Sequence, residues 1–262
     1  MVDDVHLGRA GDGSGGAALE RLTRPVTILV GHFGSGKTEI AVNLAFGFRN
    51  RGAEVTLVDL DLVKPYFRSR LAKDDLDARG IRLVAPGGER FYADLPILTP
   101  EVRAVAGNGA GGKSRVIFDV GGNDLGARAL GSLSGLLDRT ATELLFVINT
   151  NRPFAEDLPA QRAMLDEVQA VARLPVTGLV ANTHLMHETT REIVLGGIRA
   201  ARELEAATGI PLRFCAMLKE VARTFGESEG SVDDLPRLVM ERHIVAPFVQ
   251  RPIGARRRSA VV

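Results

Sequence analysis

A chain of 262 residues with 45% hydrophobic content can bury one large core without crosslinks. Its net charge of +1, 5% aromatic residues and lack of Trp argue against a global basic field for nucleic acid and against a base-stacking platform for single strands. Cys215 is the only cysteine, which excludes an intrachain disulfide, and no apolar stretch is long enough to span a bilayer.

In chain order, residues 1–23 are polar and glycine-rich and carry no apolar run of signal-peptide type. They are expected to be a disordered tail, and a reducing cytoplasm fits the chain. Residues 25–30 (PVTILV) read as a buried strand, 26–31. Next comes Gly31-His-Phe-Gly34-Ser35-Gly36-Lys37-Thr38, a complete phosphate-binding loop, and then a helix over 37–50 with Ile40, Leu44 and Phe48 spaced four apart. In this strand–loop–helix context the backbone N–H groups from Gly31 to Glu39 are expected to wrap phosphate oxygens, aided by the positive end of the helix. Lys37 is expected to reach the β- and γ-phosphates, and the Thr38 hydroxyl to bind Mg²⁺.

A second strand, 54–59, leads into Asp59-Leu-Asp61. Strand 81–85, helix 99–106 and a flexible loop at 107–114 precede strand 115–120, which ends in Asp119 ahead of Gly121-Gly122. An acid closing a buried apolar strand is the Walker B arrangement for Mg²⁺, the alternative being a turn or helix-cap residue. The remaining elements are helix 124–137, strand 143–149, helix 155–172, strand 176–181 ending at Asn182, helix 188–207, strand 212–217 and helix 232–243. Continuous apolar strands alternating with helices predict an α/β fold: a doubly wound, mostly parallel sheet with helices on both faces. Ligands are expected at the carboxyl ends of its strands. The NTPase domain is placed at 24–247, with a basic tail at 248–262.

The P-loop followed by Asn43-Leu44-Ala45, the Asp-x-Asp at 59–61 and Asp119 with its glycines resemble the MinD/ParA-type branch of P-loop NTPases, the SIMIBI class, over about residues 25–245. The resemblance implies that Asp61 positions the attacking water, that Asp59 supports the metal shell and that Asp119 is the Walker B acid. It implies that Gly121 and Gly122 form the second switch and that residues 217–221 cover the base. Asn182 falls where the family often reads adenine; otherwise it caps a turn. Most relatives carry a second lysine after the first P-loop glycine, and here that residue is His32. Arg68 or Arg70, in the basic run that begins at Lys64, either replaces its charge or lies on a solvated face. The stretches 60–70 and 119–124 look like a bacterial subgroup described only as nucleotide-binding proteins.

The expected function is a cytoplasmic ATPase that binds ATP and Mg²⁺ and whose nucleotide state switches affinity for a client protein, for instance in metalloenzyme maturation. One alternative is a small-molecule kinase or ATP-dependent ligase, with Lys64, Arg68 or Arg90 as anion binders. Another is a cargo-positioning ATPase. A nucleotide-dependent homodimer is a further possible partner arrangement. Neither nucleic acid nor membrane is signalled strongly: Pro247 and Pro252 interrupt any C-terminal amphipathic anchor, and the arginines at 256–258 read as a solvated tail. His184, His187 and Glu188 read as surface polarity ahead of a metal site.

Overall fold

The computed structural model describes residues 16–61, 72–85, 98–108, 112–122, 124–153, 155–226, 231–232 and 234–244. Among the described residues nine strands form one sheet: β1 (Val26–Val30), β2 (Glu54–Leu60), β3 (Arg82–Val84), β4 (Ser114–Val120), β5 (Thr142–Ile148), β6 (Gly178–Ala181), β7 (Leu212–Leu218), β8 (Ser231–Val232) and β9 (Leu235–Met240). Their spatial order is β3-β2-β4-β1-β5-β6-β7-β9-β8. Neighbours pair in parallel except β8, which runs antiparallel to β9.

Strand alternation divides the core between the two faces. Ile28, Phe118 and Phe146 pack on one side with Val102 of α4 (Pro100–Asn108), Leu130 of α5 (Asp124–Leu133), Leu165 of α6 (Leu158–Ala172) and Ile198 of α7 (Arg191–Thr208). Leu29, Ile117 and Leu145 pack on the other with Leu19 of α1 (Gly16–Glu20), Leu44 of α2 (Lys37–Asn50) and Leu76 of α3 (Lys73–Ala78). Because both faces are covered, the central strands are mainly apolar, with Asp119 at the carboxyl end of β4. Helix ends are specified locally. Asp157 caps α6 by accepting from Ala160 N at 2.9 Å. Gly209 ends α7 at φ 71°, a left-handed turn that suits a residue without Cβ. The doubly wound α/β fold is as the sequence predicts.

Two expectations are corrected. The helix predicted over 232–243 is instead β8, the strand β9 and an extended segment. Leu235 and Val239 pack on one face and Leu238 and Met240 on the other. A short run that is apolar on both faces satisfies helical and strand spacing alike, and pairing with β7 decides it. The predicted disordered tail is also too long. Residues 16–20 form α1, with Ala18, Leu19 and Leu22 buried, and Arg51 donates to the Gly16 carbonyl at 2.9 Å. Three apolar residues in a glycine-rich stretch are too few to show a period. A short helix, α8 (Lys219–Ala222), follows β7 directly. The tail expectations at 1–15 and 248–262 lie outside the described residues.

Candidate nucleotide site

The sheet order reverses at β1. From β1 the chain winds outward through β2 and β3, returns as β4, and then continues on the other side as β5. Crevices open at the carboxyl ends of strands where such a reversal occurs. In register, Leu29 of β1 and Asp59 of β2 both stand beside Asp119 of β4. The loop from Gly31 to Gly36 crosses this edge, and α2 starts at Lys37 with Gly36 at φ 89°. A Cβ on Gly36 would collide with the Asn182 side chain, so this position is closed to other residues twice over.

The polar groups here are buried: Ser35, Lys37, Thr38, Asp59, Asp61 and Asp119 are each at most 7% exposed. The Lys37 ammonium lies inside the loop and donates to the carbonyls of Gly31 (2.9 Å) and His32 (2.8 Å) and to Ser35 Oγ (3.4 Å). The Thr38 hydroxyl hydrogen-bonds the Asp119 carboxylate. Asp59 Oδ1 accepts from Asp61 N at 2.9 Å. Burial, then the charge of Asp59, then that of Asp61 push the Asp119 carboxyl up to about 7, against the pull of Thr38 and Lys37. Asp59 and Asp61 therefore act on the same neighbour, as residues two apart at a strand end can.

Gly121 N donates to Leu60 O at 3.5 Å, joining the β4 end to the β2 end. Gly122 lies against the loop: a Cβ there would come within 2.5 Å of Phe33 N. Of the glycine pair expected as the second switch, Gly122 is thus in backbone contact with the P-loop. His32 turns its Nδ1 onto Phe33 O at 2.9 Å. Lys64, Arg68, Arg70 and Arg90 lie outside the described residues.

Asn182 follows β6 directly and donates from Nδ2 to Ser35 O at 2.7 Å. It lines a cavity of about 310 Å³ together with Thr38, Glu39, Met217, Leu218 and Val221, so the segment expected over the base meets it there. Glu39 faces this cavity, but its carboxylate already accepts from His243 N (2.6 Å) and Ile244 N (3.2 Å). Burial raises its pKa, and those two N–H groups oppose the rise. His184 is held down to about 4 by burial and by Arg152 and Arg242. It bonds the Gly34 backbone, while His187 is exposed beside Glu188.

Sequence reasoning missed Arg152, whose Nε donates to Gly34 O at 3.0 Å. Its only signal was a polar run, residues 149–152, at the ligand edge of β5. Cys215 is fully buried and its thiol contacts Pro236 O at 3.6 Å, a core role.

Among the described residues no three His, Cys, Asp or Glu side chains are grouped so as to hold a metal ion unaided. The donor set nevertheless suits Mg²⁺ completed by phosphate and water oxygens. It offers hard oxygens only, a hydroxyl next to a carboxylate, and a buried acid raised by its acidic neighbours.

Protein-family models give no match to this chain. Curated proteins give none either. Solved structures do resemble it. The cell division protein FtsY from Thermotoga maritima is 22% identical over 76% of this chain and 67% of its own, with a TM-score of 0.48. FlhF, in a complex with GTP and Mg²⁺, is 16% identical over 78% of this chain and 69% of its own, at 0.48. The signal recognition particle 54 kDa protein from Aeropyrum pernix, with GDP, is 23% identical over 74% of this chain and 41% of its own, at 0.46.

Proposed function

We propose that this chain is a Mg²⁺-dependent ATPase of the SIMIBI class whose nucleotide state switches its affinity for a client protein. The observation that carries the reading is the gathering of Lys37, Thr38, Asp59, Asp61 and Asp119 under one glycine-rich loop at the start of a helix. In this reading Thr38 and Asp119 hold the metal, with Asp59 behind them. Bound Mg²⁺ neutralises charge on the phosphates. Lys37 exchanges the carbonyls of Gly31 and His32 for phosphate oxygens, which replaces neutral acceptors by charged ones. Asp61, at the lip of β2, orients the attacking water. Gly122, packed on His32 and Phe33, carries a shift of the loop to α5, which begins two residues later.

Adenine is favoured over guanine by the cavity's chemistry. Guanine presents adjacent ring and exocyclic N–H donors that call for a carboxylate. The one acid among the described lining residues, Glu39, is occupied by His243 and Ile244. Asn182, with one N–H of Nδ2 on Ser35 O, offers its second N–H and its Oδ1 to an adenine edge.

A second reading, a small-molecule kinase, draws on a groove of about 450 Å³ that His32, Gly121, Gly122 and Met164 help to line. It lies beside the loop, where a phosphoryl acceptor would have to sit. Phosphate release measured with ATP and Mg²⁺ alone separates the two. Steady turnover without added acceptor supports the ATPase. Release that appears only with a small-molecule acceptor supports the kinase. Absence of ATP binding by calorimetry overturns both.

A further inference from the structure

Arg152 is a cation laid along the P-loop with no ion-pair partner among the described residues. Its backbone is fixed in the turn after β5: its N donates to Asn149 O at 3.3 Å and its O accepts from Ala155 N at 3.1 Å. Asn149 in turn ties this turn to the end of β6, since its Oδ1 accepts from Asn151 N at 3.0 Å and from His184 N at 3.3 Å. The side chain reaches across to the loop, and Nε donates to Gly34 O at 3.0 Å. The guanidinium carbon lies 3.1 Å from where a Cβ on Gly34 would be, so the group rests against the loop backbone.

A guanidinium has five N–H donors, and this bond uses one. No carboxylate among the described residues forms an ion pair with Arg152. It is partly buried on the wall of the cavity that also exposes Gly36 and Thr38, the phosphate end of the site. A half-buried cation whose other four donors bond no side chain or carbonyl among the described residues, pinned beside an anion-binding loop, is arranged to receive an anion. The loop's own lysine, Lys37, lies inside the turn, and its next residue after Gly31 is the imidazole His32. Arg152 approaches from outside, over Gly34.

We propose that Arg152 binds the nucleotide's phosphate chain from the outer flank of the P-loop while its Nε keeps Gly34 in place. It thereby supplies in cis, from the β5 turn, a second cation to the phosphates. The inference rests on the nucleotide-binding reading above.

Two variants separate phosphate binding from bracing of the loop. Arg152→Gln places an N–H at the same point along the side chain as Nε, so the bond to Gly34 O can persist while charge and the outer donors are lost. Arg152→Lys keeps the charge. The measurement is calorimetric affinity for ATP–Mg²⁺ and ADP–Mg²⁺ at low and moderate salt, beside the thermal melt of the nucleotide-free proteins. Arg152→Gln should melt as the wild type does yet bind both nucleotides about tenfold or more weakly. Arg152→Lys should retain most of the affinity, and the salt dependence should be shallower for Gln than for the wild type. Wild-type affinity in Arg152→Gln overturns the proposal. So does an equal loss in both variants accompanied by a lower nucleotide-free melt, which would make Arg152 a brace only. A wild-type protein that binds neither nucleotide is a different result and overturns the functional reading itself.

Discussion

Asp119 is an acid kept where its charge is unwelcome. Buried, with Asp59 beside it, it is pushed up to about 7. The unfolded chain would titrate it near 3.8. The folded state then holds the proton more tightly, so this group's contribution to stability is largest below pH 4 and is lost as pH rises toward 7. Glu143 follows the same course: burial raises it to about 7 despite Arg213, Arg24 and Arg115. Nucleotide-free protein should therefore lose stability between pH 4 and 7. Asp119→Asn should recover part of it, on the order of 1–3 kcal/mol at pH 8 by urea unfolding, leaving the share due to Glu143. A variant no more stable than wild type at pH 8 would show that Asp119 is not strained. Asp61→Asn tests another role. Water-positioning groups act mainly in the transition state, so ATP–Mg²⁺ affinity should stay near wild type while single-turnover hydrolysis falls sharply. Hydrolysis at the wild-type rate would assign the water to another residue.

At the scale of elements, what the sequence showed depended on whether an element explains itself. Strands β1, β4 and β5 are built on apolar runs buried on both faces, and α2 carries its own period and follows its own loop. They were legible because the signal is local. Strand β9 was not, since its pairing with β7 is a tertiary fact. Nor was α1, which owes its place to a notch in α2. A Cβ on Gly47 would come within 2.7 Å of Leu19 Cδ1, so the glycine makes the seat for α1. Leu22, 1% exposed, belongs to the same core cluster as Leu19 and the apolar face of α2. Leu22→Ala should cost about 2–4 kcal/mol, read as a lower urea midpoint with an unchanged slope. A midpoint equal to wild type would mean that residues 16–22 add nothing to the fold. The candidate site divides in the same way. Lys37, Thr38 and Asp119 sit in motifs, whereas Arg152 is a lone arginine whose partner, Gly34, is distant in sequence and met only through the fold.

For the whole molecule, the topology places the described candidate groups on one edge. The reversal at β1 brings the loop, the two acids of the β2 end, Asp119, the β5 turn and Asn182 to the carboxyl side of a single sheet. The loop is held from inside by Lys37 and from outside by Asn182 and Arg152. These bonds shape it before any ligand arrives, which lowers the ordering cost of binding. The central claim is that this edge binds ATP through Lys37. The most direct measurement is calorimetric titration of ATP and of GTP, each with Mg²⁺, into the wild type and into Lys37→Ala. The account predicts tighter binding of ATP than of GTP by the wild type and a loss of about 10–150-fold for ATP in the variant. Equal ATP affinity in the two proteins, or no binding by either, would contradict it.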